Sequence, residues 1–311
     1  MNAEVFAEWL RRQGHHVVRT ESTYWYDQGP RVYQAFPYHW VIQPSEDELT
    51  RFLRRHRAIG LRYSSPLGAP AGRLSYHAVY DRPTYLLEQL DRRSRRNVQV
   101  GLKNCTVEPI TFERLAEEGW LLESDTEDRQ RRRSALRRED WVRKCRAAAD
   151  LPGFEAWGAL VDGRLVASMM TCQVDDCCEM LYQQCLREYL PARVCNALCY
   201  VVTKTTTERP GIRSLLYGLQ SLDAPASVDE FKFRMGYTAK PVRQRVVFHP
   251  WLAPFVGRGA HALLRRALAR RPQPALAKAE GMVRFYLEGK LPLQEQAAPP
   301  GLEGLLARPA V

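Results

Sequence analysis

Side chains able to move protons collect in the second half of the chain. Tyr217 stands at the end of a short apolar run, and Asp223 lies just beyond it. Lys232 falls within Phe231-Lys232-Phe233-Arg234-Met235-Gly236-Tyr237. A phenol, carboxylate or ammonium beside a cleft is a candidate acid or base. Lys232 reads three ways: general acid, anion contact, or surface lysine on an open helix. Tyr182 and Gln184 alternate onto one face of a predicted strand, either lining a site or serving as ordinary strand residues. Familiar alternatives are missing by motif: there is no G-x-x-x-x-G-K-[ST], G-x-S-x-G, H-E-x-x-H or dinucleotide fingerprint.

Metal and thiol chemistry find little support. His15 and His16 are adjacent on a predicted strand and point to opposite faces, so they cannot readily share an ion. Cys105, Cys145, Cys172, Cys177, Cys178, Cys185, Cys195 and Cys199 contain no C-x-x-C pair. Buried, reduced thiols are the main reading, with a zinc site or a catalytic thiol as the alternatives. No metal is expected.

The elements that must position these residues run from Phe154 to His249. Phe154 to Val161 is a strand ending at Asp162-Gly163, a hairpin dipeptide. Arg164 to Val174 and Cys177 to Leu186 follow as strands on either side of Asp175-Asp176. After Pro191 the apolar period lengthens to a helical one, with Val194, Ala197, Leu198, Val201 and Val202 on one stripe. Pro210-Gly211 ends that helix. Ser214 to Gly218 is a short buried strand, Ser227 to Gly236 a second helix, and Tyr237 to Phe248 a last strand.

A meander, a crossover helix, a strand, a short helix and a final strand resemble the catalytic half of GNAT acyltransferases. The Phe231-to-Tyr237 ending resembles the Fem-type, tandem branch. The resemblance implies an α+β fold of two GNAT-like halves, each a mixed, mostly antiparallel sheet flanked by helices. Residues 1–80 would be a degenerate first half, 81–250 the acyltransferase domain, and 251–311 a helical extension with a flexible tail.

The same resemblance implies an N-acyltransferase that moves an acyl group, acetyl first, from acyl-CoA to an amine by direct attack. No other cofactor is implied. Aminoacyl-tRNA is the alternative donor, as in Fem-type relatives. A non-catalytic protein gripping nucleic acid or membrane through basic faces is the third reading. The donor cradle maps to Glu188-Tyr189-Leu190-Pro191-Ala192-Arg193-Val194-Cys195-Asn196. There the helix N-terminus and its free N–H groups would meet phosphates. The family's glycines are absent; Ala192 would allow close approach, Arg193 would supply charge, and Asn196 would join them in binding the donor. Tyr182 and Gln184 would reach the acyl carbonyl. Tyr217, Asp223 and Lys232 would manage protons.

The remaining chain supplies helices, strands and charge. Ala3 to Gln13 reads as a helix, Thr20 to Tyr26 and Arg31 to Phe36 as an aromatic hairpin, and Pro37 and Pro44 bracket another short strand. Ser45 to His56 is a helix with a Ser45-to-Glu48 capping box, followed by a strand at Ile59 to Tyr63. Ser64 to Gly72 is a loop. Asp81 and Pro83 start a long helix carrying arginines 92, 93, 95 and 96. The acidic block Glu123 to Asp128 reads as a surface helix or a mobile flap. Leu263, Leu264 and Leu268, flanked by arginines, form a basic amphipathic segment that either lies on an anionic membrane or packs on the domain.

A net charge of +11 over 311 residues suits a nucleic acid, an anionic lipid or a phosphate-bearing donor. Residues 1–10 do not resemble a signal peptide, and no run reaches the roughly 18 apolar residues of a membrane span. A cytoplasmic location, without a transmembrane segment and with a peripheral membrane contact allowed, is the expectation.

Overall fold

The computed structural model describes residues 2–130, 137–222, 226–271 and 273–303. In chain order the elements begin α1 (Ala3–Arg12), β1 (Val17–Arg19), β2 (Tyr24–Gly29), β3 (Val32–Phe36), α2 (Glu46–Arg55), β4 (Gly60–Ser65) and β5 (Arg73–Tyr80). They continue α3 (Arg92–Asn104), β6 (Thr106–Ile110), α4 (Phe112–Arg129), α5 (Arg138–Arg146), β7 (Phe154–Val161), β8 (Arg164–Val174) and β9 (Cys177–Cys185). The last are α6 (Val194–Thr207), β10 (Ser214–Leu219), α7 (Ala226–Arg234), β11 (Thr238–Phe248), α8 (Arg258–Arg270) and α9 (Pro274–Glu288).

Two compact units share the chain. Unit I comprises residues 1–14, 78–218 and 225–238; unit II comprises 15–77, 219–224 and 239–311. The units interleave, where consecutive segments 1–80 and 81–250 were expected. Helix α1 belongs to unit I because Trp9 packs there. Its indole N–H donates to the Lys144 carbonyl at 3.1 Å, and its ring meets Phe154 at 5.1 Å. Nearly all of β11 belongs to unit II.

In unit I the strands run in the order β10-β9-β8-β7-β6. Strands β6 to β9 are antiparallel neighbours, and β10 is parallel to β9. The β7–β8 turn follows from its residues. Asp162 and Gly163 are both left-handed, at φ 49° and 78°, the twist that two-residue hairpins need. Val98 of α3, Val194, Leu198 and Val202 of α6, and Met169 of β8 are fully buried in one core. Burying each such side chain stabilises the fold by about 1.5–3 kcal/mol. Gly101 is where α3 crosses the start of α6: a Cβ there would collide with the Arg193 carbonyl and come within 2.9 Å of Ala197 Cβ.

In unit II the order is β1-β2-β3-β4-β11. Only the β3–β4 pair is parallel among these neighbours. Trp25, Tyr33, Leu49, Phe52, Leu53, Leu61 and Tyr63 form its core. Ser45 caps α2 by accepting from the Glu48 N–H at 3.1 Å. The box is only half made, because the Glu48 carboxylate turns instead to Ser22 N–H and Oγ, at 3.1 and 2.7 Å.

Several elements depart from the sequence reading. Strand β5 occupies Arg73–Tyr80, where no element was expected. Helix α3 starts at Arg92, not at Asp81. Asp91 wins as N-cap because its carboxylate accepts from the N–H groups of Arg93 and Ser94, at 2.8 and 3.0 Å. Residues 38–43 form no strand. The segment after Leu291 is docked as far as residue 303: Gln296 is buried, accepts from Leu74 N–H at 2.6 Å and donates to the Leu291 carbonyl at 2.9 Å.

Candidate active site

The site is organised by an interruption in unit I. Strands β9 and β10 pair at Ser214↔Cys177, Leu215↔Cys178 and Leu216↔Glu179, and then the ladder stops. On its other edge β9 stays paired with β8 as far as Ala167↔Cys185. Between Thr171↔Met180 and Met170↔Tyr182 the register shifts, leaving Leu181 as an extra residue. A bulge of this kind bends its strand and raises the local twist. It stands two residues beyond the last β10 partner, so the bend accounts for the parting.

Side chains cross the gap so formed. The Tyr217 hydroxyl donates to Gln183 Oε1, and Gln183 Nε2 reaches the Cys195 carbonyl at 3.5 Å. The Tyr217 ring stands edge-on to Tyr237 at 5.1 Å. Burial pushes its phenol well above the usual tyrosine range. It therefore stays protonated at neutral pH and keeps a proton to donate. Lys232 is no surface lysine: it is 6% exposed, and its ammonium donates to Asp229 Oδ1 at 2.7 Å, 5.8 Å from the centre of the Tyr217 ring. Asp223 lies outside the described residues.

Beside the gap is the start of α6. Arg193 is its N-cap residue, held in the left-handed region at φ 60° with no side-chain cap. The family's glycines are missing from this turn, yet its backbone takes the conformation that glycine favours. Asn104 Nδ2 donates to the Ala192 carbonyl at 3.2 Å, tying the turn to α3. Arg193 is exposed and Ala192 half-buried. Asn196 turns away, its amide against Met235 Sδ at 3.4 Å. Uncapped N–H groups and a helix dipole make this end receptive to an anion.

Tyr182 and Gln184 share a face, as their spacing requires, but not the face toward α6. Gln184 accepts from Ser168 Oγ at 3.2 Å and donates to Glu123 Oε2 of α4 at 2.9 Å. The Tyr182 ring lies 4.0 Å from Lys144 Nζ of α5. Glu123 and Lys144 are each 8% exposed. Burial pushes the Glu123 carboxyl up, with Lys144 and Gln184 restraining it. Burial disfavours the Lys144 ammonium, but Tyr182 and Glu123 outweigh this and its pKa rises. The structure thus groups Tyr217 with Lys232 and Ala192 with Arg193, and sets Tyr182 and Gln184 on the opposite side of the sheet.

Sequence reading missed Gln183, Glu123 and Lys144. Glu123 was hidden in an acidic block that read as a solvated helix or a flap; it forms part of one continuous helix, α4, with Glu123 and Thr126 buried. All eight cysteines are free thiols. Cys195, in the first turn of α6, is lowered by a hydrogen bond from Cys185, with burial opposing and Arg129 and Gln183 assisting. Among the described residues no group of three or more His, Cys, Asp or Glu is placed to hold a metal. No helix among them is long and apolar enough to cross a membrane.

Comparison with solved structures decides the fold. FemX superposes with a TM-score of 0.54 at 11% identity, over 80% of this chain and 92% of that one. The chain has the Fem-type fold. The C-terminal domain of a lysylphosphatidylglycerol synthetase from Agrobacterium fabrum shares it, with a TM-score of 0.53 at 13% identity, over 78% of this chain and 87% of that domain. L-PGS from Bacillus licheniformis gives 0.50 at 10% identity, over 79% and 91%. No family model matches the sequence. No curated protein sequence matches it either. The α+β, GNAT-like architecture is therefore met in its Fem-type form.

Proposed function

We propose that unit I is the catalytic half and transfers an acyl group from an activated carbonyl to an amine. The observation that carries this reading is the ladder that ends after Leu216↔Glu179 beside an uncapped helix start. An acyl carbonyl at that gap would meet the unpaired edge of β9. The amine attacks the carbonyl carbon, the C–N bond forms, and the bond to the leaving oxygen or sulfur breaks. The ammonium proton passes to water, the leaving group gains one, and water reprotonates the residue that gives it. Tyr217, kept protonated by burial, supplies the second proton. Lys232 holds negative charge near it, and Arg193 and Ala192 receive a donor phosphate. Asp223 is assigned no step.

The Gln183–Tyr217 bridge discriminates between donors. A coenzyme A donor must pass its long pantetheine arm through the gap, whereas an aminoacyl ester on tRNA presents its carbonyl from outside. The bridge therefore favours aminoacyl-tRNA over acyl-CoA, and the net charge of +11 suits a polyanion. The name lysylphosphatidylglycerol synthetase fits an aminoacyl donor, since it describes the making of an aminoacyl lipid. The amine acceptor remains a class only.

Thermal shift tests the donor. Charged tRNA should stabilise the protein at low salt and lose that effect steeply as salt rises. Stabilisation by acetyl-CoA alone reverses the donor assignment, and stabilisation by neither removes the enzyme reading. Tyr217→Phe should lower kcat by roughly a hundredfold, the low end for general acid–base groups, while the melting temperature moves little. Unchanged turnover removes Tyr217 from proton transfer.

A further inference from the structure

Three of the most exposed large apolar side chains lie between residues 251 and 263. Trp251 is 60% exposed, Phe255 73% and Leu263 66%. The charge around them has one sign. From Pro250 to Ala279 the sequence contains no Asp or Glu, but it has Arg258, Arg265, Arg266, Arg270, Arg271 and Lys278. Helix α8 has no buried residue. Its partly covered side is Ala260, His261, Leu264 and Leu268, and His261 Nε2 meets Glu280 of α9 at 2.7 Å. Leu263, Arg266 and Arg270 fall at helical spacing on the other side. Arg258, Arg265, Arg266 and Arg270 make no ion pair with the described residues.

Packing therefore covers only one face of this helix. The bare face intersperses guanidinium groups with Leu263, Ala262 and Ala269, all exposed. Two exposed aromatic rings precede it. Aliphatic and indole groups set among unpaired arginines match a phospholipid interface, where apolar side chains enter the acyl boundary and cations meet phosphates. RNA would use the arginines and rings but has nothing to cover the aliphatic surface.

We propose that the segment from Trp251 to Arg271 docks on an anionic phospholipid bilayer, with Trp251, Phe255 and Leu263 inserted and the arginines on the headgroups. This surface belongs to unit II, and the proposal does not depend on the acyl-transfer reading. The test uses the full chain and sedimentation with vesicles of phosphatidylcholine, with or without one quarter phosphatidylglycerol. Binding should require the anionic lipid and weaken with salt. Arg266→Glu with Arg270→Glu should lower partition at least tenfold, since each arginine contributes roughly fivefold near such a surface. Trp251→Ser with Phe255→Ser should lower it also at high lipid, while melting curves confirm that both variants fold. The proposal is overturned by equal binding to neutral vesicles, or by partition that neither pair of substitutions changes. It is equally overturned if the arginine pair abolishes retention of tRNA but not of vesicles, or if Leu263→Ser converts a dimer to a monomer without changing vesicle binding.

Discussion

The two units contain the same run of elements, finished differently. In unit I the hairpin β8–β9 leads through α6 to β10, parallel to β9. In unit II the hairpin β2–β3 leads through α2 to β4, parallel to β3. Both parallel ladders consist of three pairs. In unit II the edge of β4 beyond that ladder is then taken up, with Ile42 N–H donating to the Ser64 carbonyl at 2.9 Å. The helix start is sealed by Ser45. In unit I the edge stays open but for side chains, and the helix start has no cap. One topology yields either a closed structural half or a half with an unsatisfied edge, according to what fills two places. The titratable residues divide as sharply: all seven histidines fall in unit II and all eight cysteines in unit I. The proposed proton transfer in unit I would therefore have tyrosine, lysine, carboxylates and thiols to draw on, and no histidine.

The sharpest way to break this contrast is at Gly101. Gly101→Ala drives a methyl into the Arg193 turn and should cost about 3 kcal/mol, the upper end of overpacking. Donor binding should fall with it, as read by chemical denaturation and titration of the donor. Unit II should respond instead to acid. Burial, aided by His39 and Arg62, pushes His77 down to about 3. An unfolded His77 takes a proton below about pH 6.5 and the folded one does not, so stability is present above that pH and is lost as pH falls. At pH 5 the loss is about 2 kcal/mol, and His77→Gln should flatten this limb in melts between pH 7 and 5.

A smaller effect is expected at the sealed helix. Ser45→Ala should cost about 1 kcal/mol and leave donor affinity unchanged; a fall in affinity would mean that the halves are not functionally distinct. Arg193→Gly should stabilise by roughly 0.5–1 kcal/mol, because the left-handed backbone no longer carries a Cβ. It should also weaken donor binding. A gain in stability with full affinity would leave the turn in place but remove its guanidinium from the cradle.

Much of this contrast was legible before any coordinates. The meander, α6, β10 and β11 follow from a change of apolar period between Val174 and Val194, and from Asp162-Gly163, whose left-handed backbone was implied by its residues. Strand β5 was hidden because its alternation, Leu74, Tyr76 and Ala78, follows directly on a loop of Ser, Pro and Gly. The start of α3 was misplaced because Asp81-Arg82-Pro83 and Asp91-Arg92-Arg93-Ser94 are competing start signals; the second satisfies two backbone N–H groups. At the site, Tyr182 and Gln184 were legible as one face, but which helices cover that face is a tertiary fact. The Gln183–Tyr217 contact joins residues that no local spacing connects. The burial of Lys232 likewise depends on packing against Tyr217 and Asp229.

Leu181 has a genetic consequence. Residues on either side of it keep their partners on β8, so losing this one codon would leave every downstream side chain on its present side. The straightened strand would then be free to continue hydrogen-bonding to β10 past Glu179. A single in-frame deletion would close this edge while the start of α6 stayed uncapped.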